Sequence, residues 1–431
     1  MNLRNAIGSR TLRYAGATLA VIAACAGALV MSSRTGQAVT AASAVPVVIS
    51  PTLNGRPSAS GPEALLFRTL NEVANRRLHV AVAEIDKVIE AYPNFRLAHL
   101  IKGDLLLARA RPLTTVGNAR GVPPGLLEDL REEARARLAR IQHPRPVDLV
   151  PRYLLQMPPE QQHALVVDTA KSTLYVFANR GGEARYVSDY YVSIGKNGID
   201  KLREGDNKTP LGVYHVTSWK PREMLDNEYG KLAELYGVGA FPINYPNDWD
   251  RARGRNGSGI WVHGVPFDTY SRSPRASNGC IALANEDLDA VAKSVQIGLT
   301  PVIIANGVDW VAPGANAALR RELLARLDRW RRDWEARDTE RYLAHYSETF
   351  TSGKTNFEQW AKQKRRVNAA KTWIRLKLDN VSVFLYPGRD DLAVVNFDQD
   401  YASSNLLNKM RKRQYWIRED GAWRILHEGA A

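Results

Sequence analysis

The chain is poor in cysteine. It has two in 431 residues, Cys25 and Cys280. That count excludes a disulfide scaffold and any zinc site built from paired cysteines. No His-Glu-x-x-His stands in the sequence and no glycine-rich phosphate-cradling loop, so no metal or other cofactor is expected. Wholesale disorder is excluded too, because 45% hydrophobic and 24% charged residues are globular values. Negative charge is in deficit, giving a formal net charge of +14. An anionic partner fits that balance, whether nucleic acid, lipid or an acidic wall polymer. The length calls for two or three domains.

One long apolar run is present, and it selects among those partners. Arg4, Arg10 and Arg13 precede an uncharged stretch from Tyr14 to Met31. A basic segment followed by an apolar one is the pattern of an export signal, and the run is also long enough to anchor in a bilayer. Ala42-Ser43-Ala44 offers a cleavage site, and Ile22-Ala23-Ala24-Cys25 has the form of a lipobox. Residues 1–44 are therefore expected to act as signal peptide or anchor, placing the body in the periplasm or cell envelope. Membrane contact is expected only through this segment, with residues 14–31 as the anchor where it is retained, and no nucleic-acid partner is expected. Once the segment is removed or embedded, Cys280 is the one thiol of the exported body, which singles it out.

Residues 45–62 are rich in Pro, Ser and Gly and are expected to form a linker. Residues 63–150 show helical periodicity, with Ala81, Ile85, Val88 and Ile89 on one face. Tyr92-Pro93-Asn94 separates this helix from the next. The pair resembles a tetratricopeptide-type hairpin, with Ala98, Gly103 and Ala108 as small packing positions. From 160 to 306 the period becomes that of strands, interrupted by a helix expected to take Asn285 as its N-cap. Residues 316–431 begin with an amphipathic helix carrying Leu323, Leu327, Trp330 and Trp334 on one side, then turn to long strands. Helices followed by an antiparallel sheet predict an α+β domain, in an order that resembles the nuclear transport factor 2-like (NTF2-like) cone. It holds six of the ten tryptophans, expected chiefly to pack a core and alternatively to line a ligand pocket for an envelope partner. The basic runs Lys362–Arg366 and Lys409–Arg413 are expected to be solvated faces or contacts to anionic polymers. The expected fold class is thus multidomain: a helical N-terminal region, a β-rich centre and an α+β C-terminal domain.

Two segments of the centre carry chemistry: Ile260-Trp261-Val262-His263-Gly264 and Ala276-Ser277-Asn278-Gly279-Cys280-Ile281-Ala282. A histidine ending an apolar strand sits at a sheet rim, and Gly264 permits close approach of another backbone. Paired, His263 takes the thiol proton and Cys280 attacks a carbonyl to form an acyl-enzyme. Backbone N–H groups of the Asn278-Gly279-Cys280 turn are candidates for the oxyanion hole.

His263-Gly264 followed by Ser277-x-Gly279-Cys280-Ile281 resembles the signature of the L,D-transpeptidase catalytic domain, the YkuD-type β-rich fold. Gly195-Lys196 and Lys208-Thr209-Pro210-Leu211-Gly212 resemble further segments of that family, and the resemblance runs from about 163 to 305. It implies a peptidoglycan tetrapeptide stem as substrate. The bond between meso-diaminopimelate and the terminal D-alanine is cleaved, and the acyl group passes to an amine. By position, Cys280 is the nucleophile, His263 the base, Ser277 shapes the turn and Gly279 contributes to the oxyanion site. The sequence departs from the family at Asn278, where histidine is usual, and at Ala282, where an arginine is usual. Arg272 or Arg275, in the intervening loop with Tyr270, are candidates to supply the missing charge to the substrate. The three-part architecture also resembles the L,D-carboxypeptidases that set cell shape in some curved bacteria, in which water accepts the acyl group. A non-catalytic wall-binding scaffold is the alternative of another class.

Overall fold

The computed structural model describes residues 62–113, 115–118, 123–270 and 272–431. The expected signal or anchor and the linker lie outside the described residues. Contacts divide the chain after Arg135 into two units.

In the first unit, helices Pro62–Ala74, Leu78–Ala91 and Arg96–Leu107 follow one another. Ala81, Ile85 and Val88 are fully buried, as their spacing along one stripe requires. Asp104 closes the next loop by accepting from the backbone N–H of Gly117 at 2.6 Å and of Asn118 at 2.8 Å.

The second unit joins two β-rich layers through one apolar core. A five-stranded sheet runs in the order 183–191, 173–180, 163–168, 301–305 and 212–215. Its central strands are continuous apolar runs because both faces are covered. On one side Leu165, Val167, Ile304 and Tyr214 pack with Val262 and Ile281. On the other, Val166, Phe177 and Ile303 join the tryptophans of the C-terminal domain. A seven-stranded sheet follows, built around the strands Ile374–Leu385, Leu392–Ser403, Leu406–Glu419 and Ala422–Ala430, and covered by helix Ala317–Glu335. Its last member is Leu154–Gln156, which precedes the catalytic region in sequence and pairs with Val383 and Phe384. The chain therefore stitches the C-terminal sheet on both sides of the central domain.

Strand alternation decides the fate of the basic run 409–413. Lys412 points inward, its ammonium 5.7 Å from the Trp330 ring and 3.3 Å from Glu428. Arg413 points the opposite way, against His215 of the central domain. Both are buried, so these two residues are not part of the solvated face expected, while Lys409 is exposed. In the other run Lys364 stands 4.1 Å from the Trp360 ring, while Lys362, Arg365 and Arg366 are exposed as expected. Trp330, Trp416 and Trp423 are fully buried core residues, whereas Trp373 is exposed.

Candidate functional site

Strand Trp261–His263 runs parallel to Ile281–Ala282, with Val262 opposite Ile281 and His263 opposite Ala282. Side chains alternate across a strand, so Val262 and Ile281 both enter the core on the face of the five-stranded sheet turned away from the C-terminal domain. Trp261, His263 and Cys280 consequently share the other face. There Cys280 packs beside Trp261 and Tyr236, and the Tyr236 ring meets the His263 ring edge-on at 5.1 Å. The parallel pairing places a thiol and an imidazole from separate segments on one surface.

The turn that presents Cys280 is held by side chains. Ser277 Oγ donates to Cys280 O at 2.7 Å and accepts from the Gly279 N–H at 3.1 Å. Thr209, fully buried, accepts from the Gly195 N–H and donates to Gly279 O, both at 2.9 Å. One hydroxyl thus ties the glycine-lysine segment to the cysteine turn. Gly279 has φ +123°, and a Cβ there would stand 2.7 Å from Lys208 O, so only glycine fits. At Gly264 a Cβ would collide with Asn285 Oδ1 and with Tyr236 O. Asn285 does not cap its helix, as the sequence suggested; Ala284 occupies the N-cap position. Its amide instead bonds Val238 N, Val265 N and Val265 O, fastening the loop that follows His263.

His263 is buried and its Nδ1 lies 2.6 Å from Gly264 O. A carbonyl only accepts, so the proton is assigned to Nδ1, and Nε2 is left as the base. Burial, with the positive charge of Arg272, pushes the imidazole down to about 3. Burial pushes the Cys280 thiol up to about 11, against the pull of the Trp261 N–H, Arg272 and Lys201. The resting pair is therefore a neutral thiol and a neutral imidazole. In this state the thiol donates to Gly259 O at 3.2 Å, and no hydrogen bond joins it to His263. A rotation about the Cys280 side chain is needed before the proton passes.

Of the two loop arginines, the fold brings only one inward. Arg272 donates to Ala276 O at 2.9 Å and acts electrostatically on both Cys280 and His263. No carboxylate pairs with it among the described residues. It lines a cleft with Tyr270, Ala282 and Ser193, next to the turn. Arg275 is exposed at the outside of the strand 275–277, where nothing connects it to the site. Asn278 is exposed as well. The Gly279 N–H is taken by Ser277 Oγ, so it is not the oxyanion donor that position suggested. The Cys280 N–H has no acceptor among the described residues and is the donor that remains.

Sequence reasoning missed two contributors. Arg137, which precedes the β-rich region, reaches the same cleft and lies 4.1 Å over the Tyr191 ring. No local signal marks it, since it is one of several arginines in the helix Pro124–Gln142. Lys201, buried on Asp206 at 2.7 Å, adds positive field at the thiol. Its place in a loop after Gly195-Lys196 offered only proximity to a motif.

Comparisons with known proteins agree with this geometry. Residues 162–304 match the L,D-transpeptidase catalytic domain family, YkuD. Residues 322–429 match the Cds6 C-terminal NTF2-like domain. A putative L,D-transpeptidase, YafK of Escherichia coli K12, is 29% identical over 126 residues, which are 28% of this chain and 43% of the relative. The chain thus spans under half the length of that curated relative. Among solved structures, Bd1075 of Bdellovibrio bacteriovorus is 28% identical with a TM-score of 0.55, covering 66% of this chain and 98% of that one. The helical cell shape determining protein Pgp2 of Campylobacter jejuni is 26% identical with a TM-score of 0.53, covering 69% and 100%. The two matched segments together span the β-rich centre and the cone, so the chain carries a YkuD-family L,D-transpeptidase catalytic domain followed by an NTF2-like C-terminal domain.

Proposed function

We propose that this chain is a cysteine-dependent L,D-transpeptidase of the cell envelope that acts on peptidoglycan tetrapeptide stems. The observation that carries the reading is the shared face of Cys280 and His263 on a parallel strand pair, with Nε2 of the imidazole left as the base. His263 Nε2 takes the thiol proton as Cys280 Sγ attacks the carbonyl between meso-diaminopimelate and D-alanine. The C–S bond forms, the C–N bond breaks, and the departing amine takes the proton back from the imidazolium. The Cys280 N–H faces the developing oxyanion, and Arg272 anchors a stem carboxylate. An amine then attacks the thioester and surrenders its proton to Nε2; the new C–N bond forms, the C–S bond breaks, and the departing Cys280 thiolate takes that proton from the imidazolium.

A second reading has water as the acceptor, giving an L,D-carboxypeptidase that trims tetrapeptide to tripeptide. It is favoured by the similarity to Pgp2, a cell shape determining protein, which runs through both domains. Mass spectrometry of purified tetrapeptide muropeptides, incubated with the protein and with its Cys280→Ala variant, separates these readings. Cross-linked or D-amino-acid-exchanged product from the wild type alone is expected for a transpeptidase. Tripeptide alone assigns the carboxypeptidase. Equal turnover by the Cys280→Ala variant removes both.

A further inference from the structure

A second cleft, of about 270 Å³, lies where the catalytic domain meets the outer face of the C-terminal sheet. It is separate from the Cys280 site, and the proposed reaction does not use it. Its floor is Arg413, 5% exposed. The guanidinium donates from Nε to Asn396 Oδ1 at 2.6 Å and from Nη2 to His215 Nδ1 at 2.8 Å. Both partners are neutral. Burial and the two neighbouring arginines hold His215 well below the ordinary imidazole range, so it keeps one proton, and that proton sits on Nε2. Asn396 is fixed by donating to Ser382 Oγ at 3.1 Å. Arg411, at the same cleft, is already paired with Asp398 at 2.9 Å. Arg413 is thus a buried cation with no carboxylate partner among the described residues, an arrangement that is costly unless something supplies the counter-charge. The cleft also holds the converse defect. Gln161, 5% exposed, donates to Leu299 O, while its Oε1 is buried and accepts from nothing. Glu160 stands exposed at the rim, and Ala431, whose N–H donates to Arg411 O at 3.1 Å, also lines the cleft without an ion pair to Arg413 among the described residues.

We propose that this cleft binds a small ligand bearing one carboxylate and an N–H donor, of the amino-acid or short-peptide class. The carboxylate meets Arg413, and the donor satisfies Gln161 Oε1. One unpaired cation matches a monoanion better than a phosphate dianion, and the volume suits a dipeptide rather than a glycan strand.

The test uses the full chain in a Cys280→Ala background, so that turnover plays no part and failure of the catalytic reading leaves this one intact. Glycylglycine, its C-terminal amide and inorganic phosphate are titrated by ligand-observed saturation-transfer NMR. Glycylglycine is expected to bind. Amidation, or Arg413→Gln, is expected to weaken it at least tenfold, and Gln161→Leu at least threefold. Arg275→Gln, exposed and lining neither cleft, is expected to leave it unchanged. If Arg413→Gln fails to fold, Gln161→Leu and the amide decide, since neither disturbs the contacts of Arg413. Absence of glycylglycine binding, equal binding of acid and amide, or loss through Arg275→Gln instead of the cleft variants would overturn the proposal. Tighter binding of phosphate than of the dipeptide would overturn its ligand class.

Discussion

The catalytic turn and the interior of the C-terminal cone both bury ionisable groups, and they treat them in opposite ways. At the turn, Cys280, His263 and Arg272 sit together, and each is hydrogen-bonded to a backbone carbonyl rather than to a carboxylate. In the cone, Glu428 is buried and held in its charged form by Lys412, Lys364 and Gln414, with Lys412 and Lys364 resting on tryptophan rings. A paired, hydrogen-bonded charge is stabilised where it stands and is costly to break. Groups whose titration is displaced without a matching partner are poised to exchange protons. The difference separates a site of chemistry from a structural one inside a single folded unit.

The contrast makes predictions that decline in size. Cys280→Ala is expected to abolish acyl transfer, a loss of about a thousandfold or more, with thermal unfolding unchanged. A variant that unfolds earlier but still turns over would reverse the roles assigned to the two regions. Glu428→Ala is expected to destabilise the chain by roughly 3–5 kcal/mol in urea unfolding, because it leaves two buried lysines unbalanced. A cost near zero would mean that the cone charges are solvated.

His263 gives a smaller effect with a defined sign. Its folded-state value is depressed to about 3, so between pH 6.5 and 3 the unfolded chain binds the proton that the folded chain refuses. Stability therefore falls as pH drops through that window. His263→Gln is expected to flatten the slope by up to about 1.4 kcal/mol per pH unit relative to wild type. Parallel slopes for the two proteins would show that this imidazole is not buried in solution. Smallest is the pH profile of Cys280 alkylation by iodoacetamide. With the thiol at about 11, the rate is expected to climb through the alkaline range instead of reaching a plateau near neutrality. Arg272→Gln is expected to slow it further, because a cation that favours the thiolate is lost. A neutral plateau would indicate a preformed thiolate–imidazolium pair.

Much of the candidate site's local geometry was legible because its demands are local. Cys280 and His263 were marked by residue type and by flanking glycines. Gly279 is required by a φ of +123° within its own turn. Ser277 braces a loop only a few residues long. Other assignments failed where a different contact claimed the group. Asn285 stands where a cap would stand, yet its amide is claimed by Val238 and Val265. The Gly279 N–H was a reasonable oxyanion donor until Ser277 Oγ took it. Arg272 and Arg275 are indistinguishable in sequence, and only the course of the chain turned one inward.

What the sequence determined by itself is the chemistry available: one thiol and one imidazole on strands of fixed alternation, framed by glycines that no other residue can replace. It also determined which strands are apolar on both faces, and hence which sheet lies between two layers. The tertiary structure decided which charges are left without partners. Lys412 and Arg413 are neighbours in one basic run, but the pleat sends one to Glu428 and the other to His215. Pairing, burial and the displaced titrations that follow from them depend on distances between residues far apart in the chain. No local pattern encodes those distances.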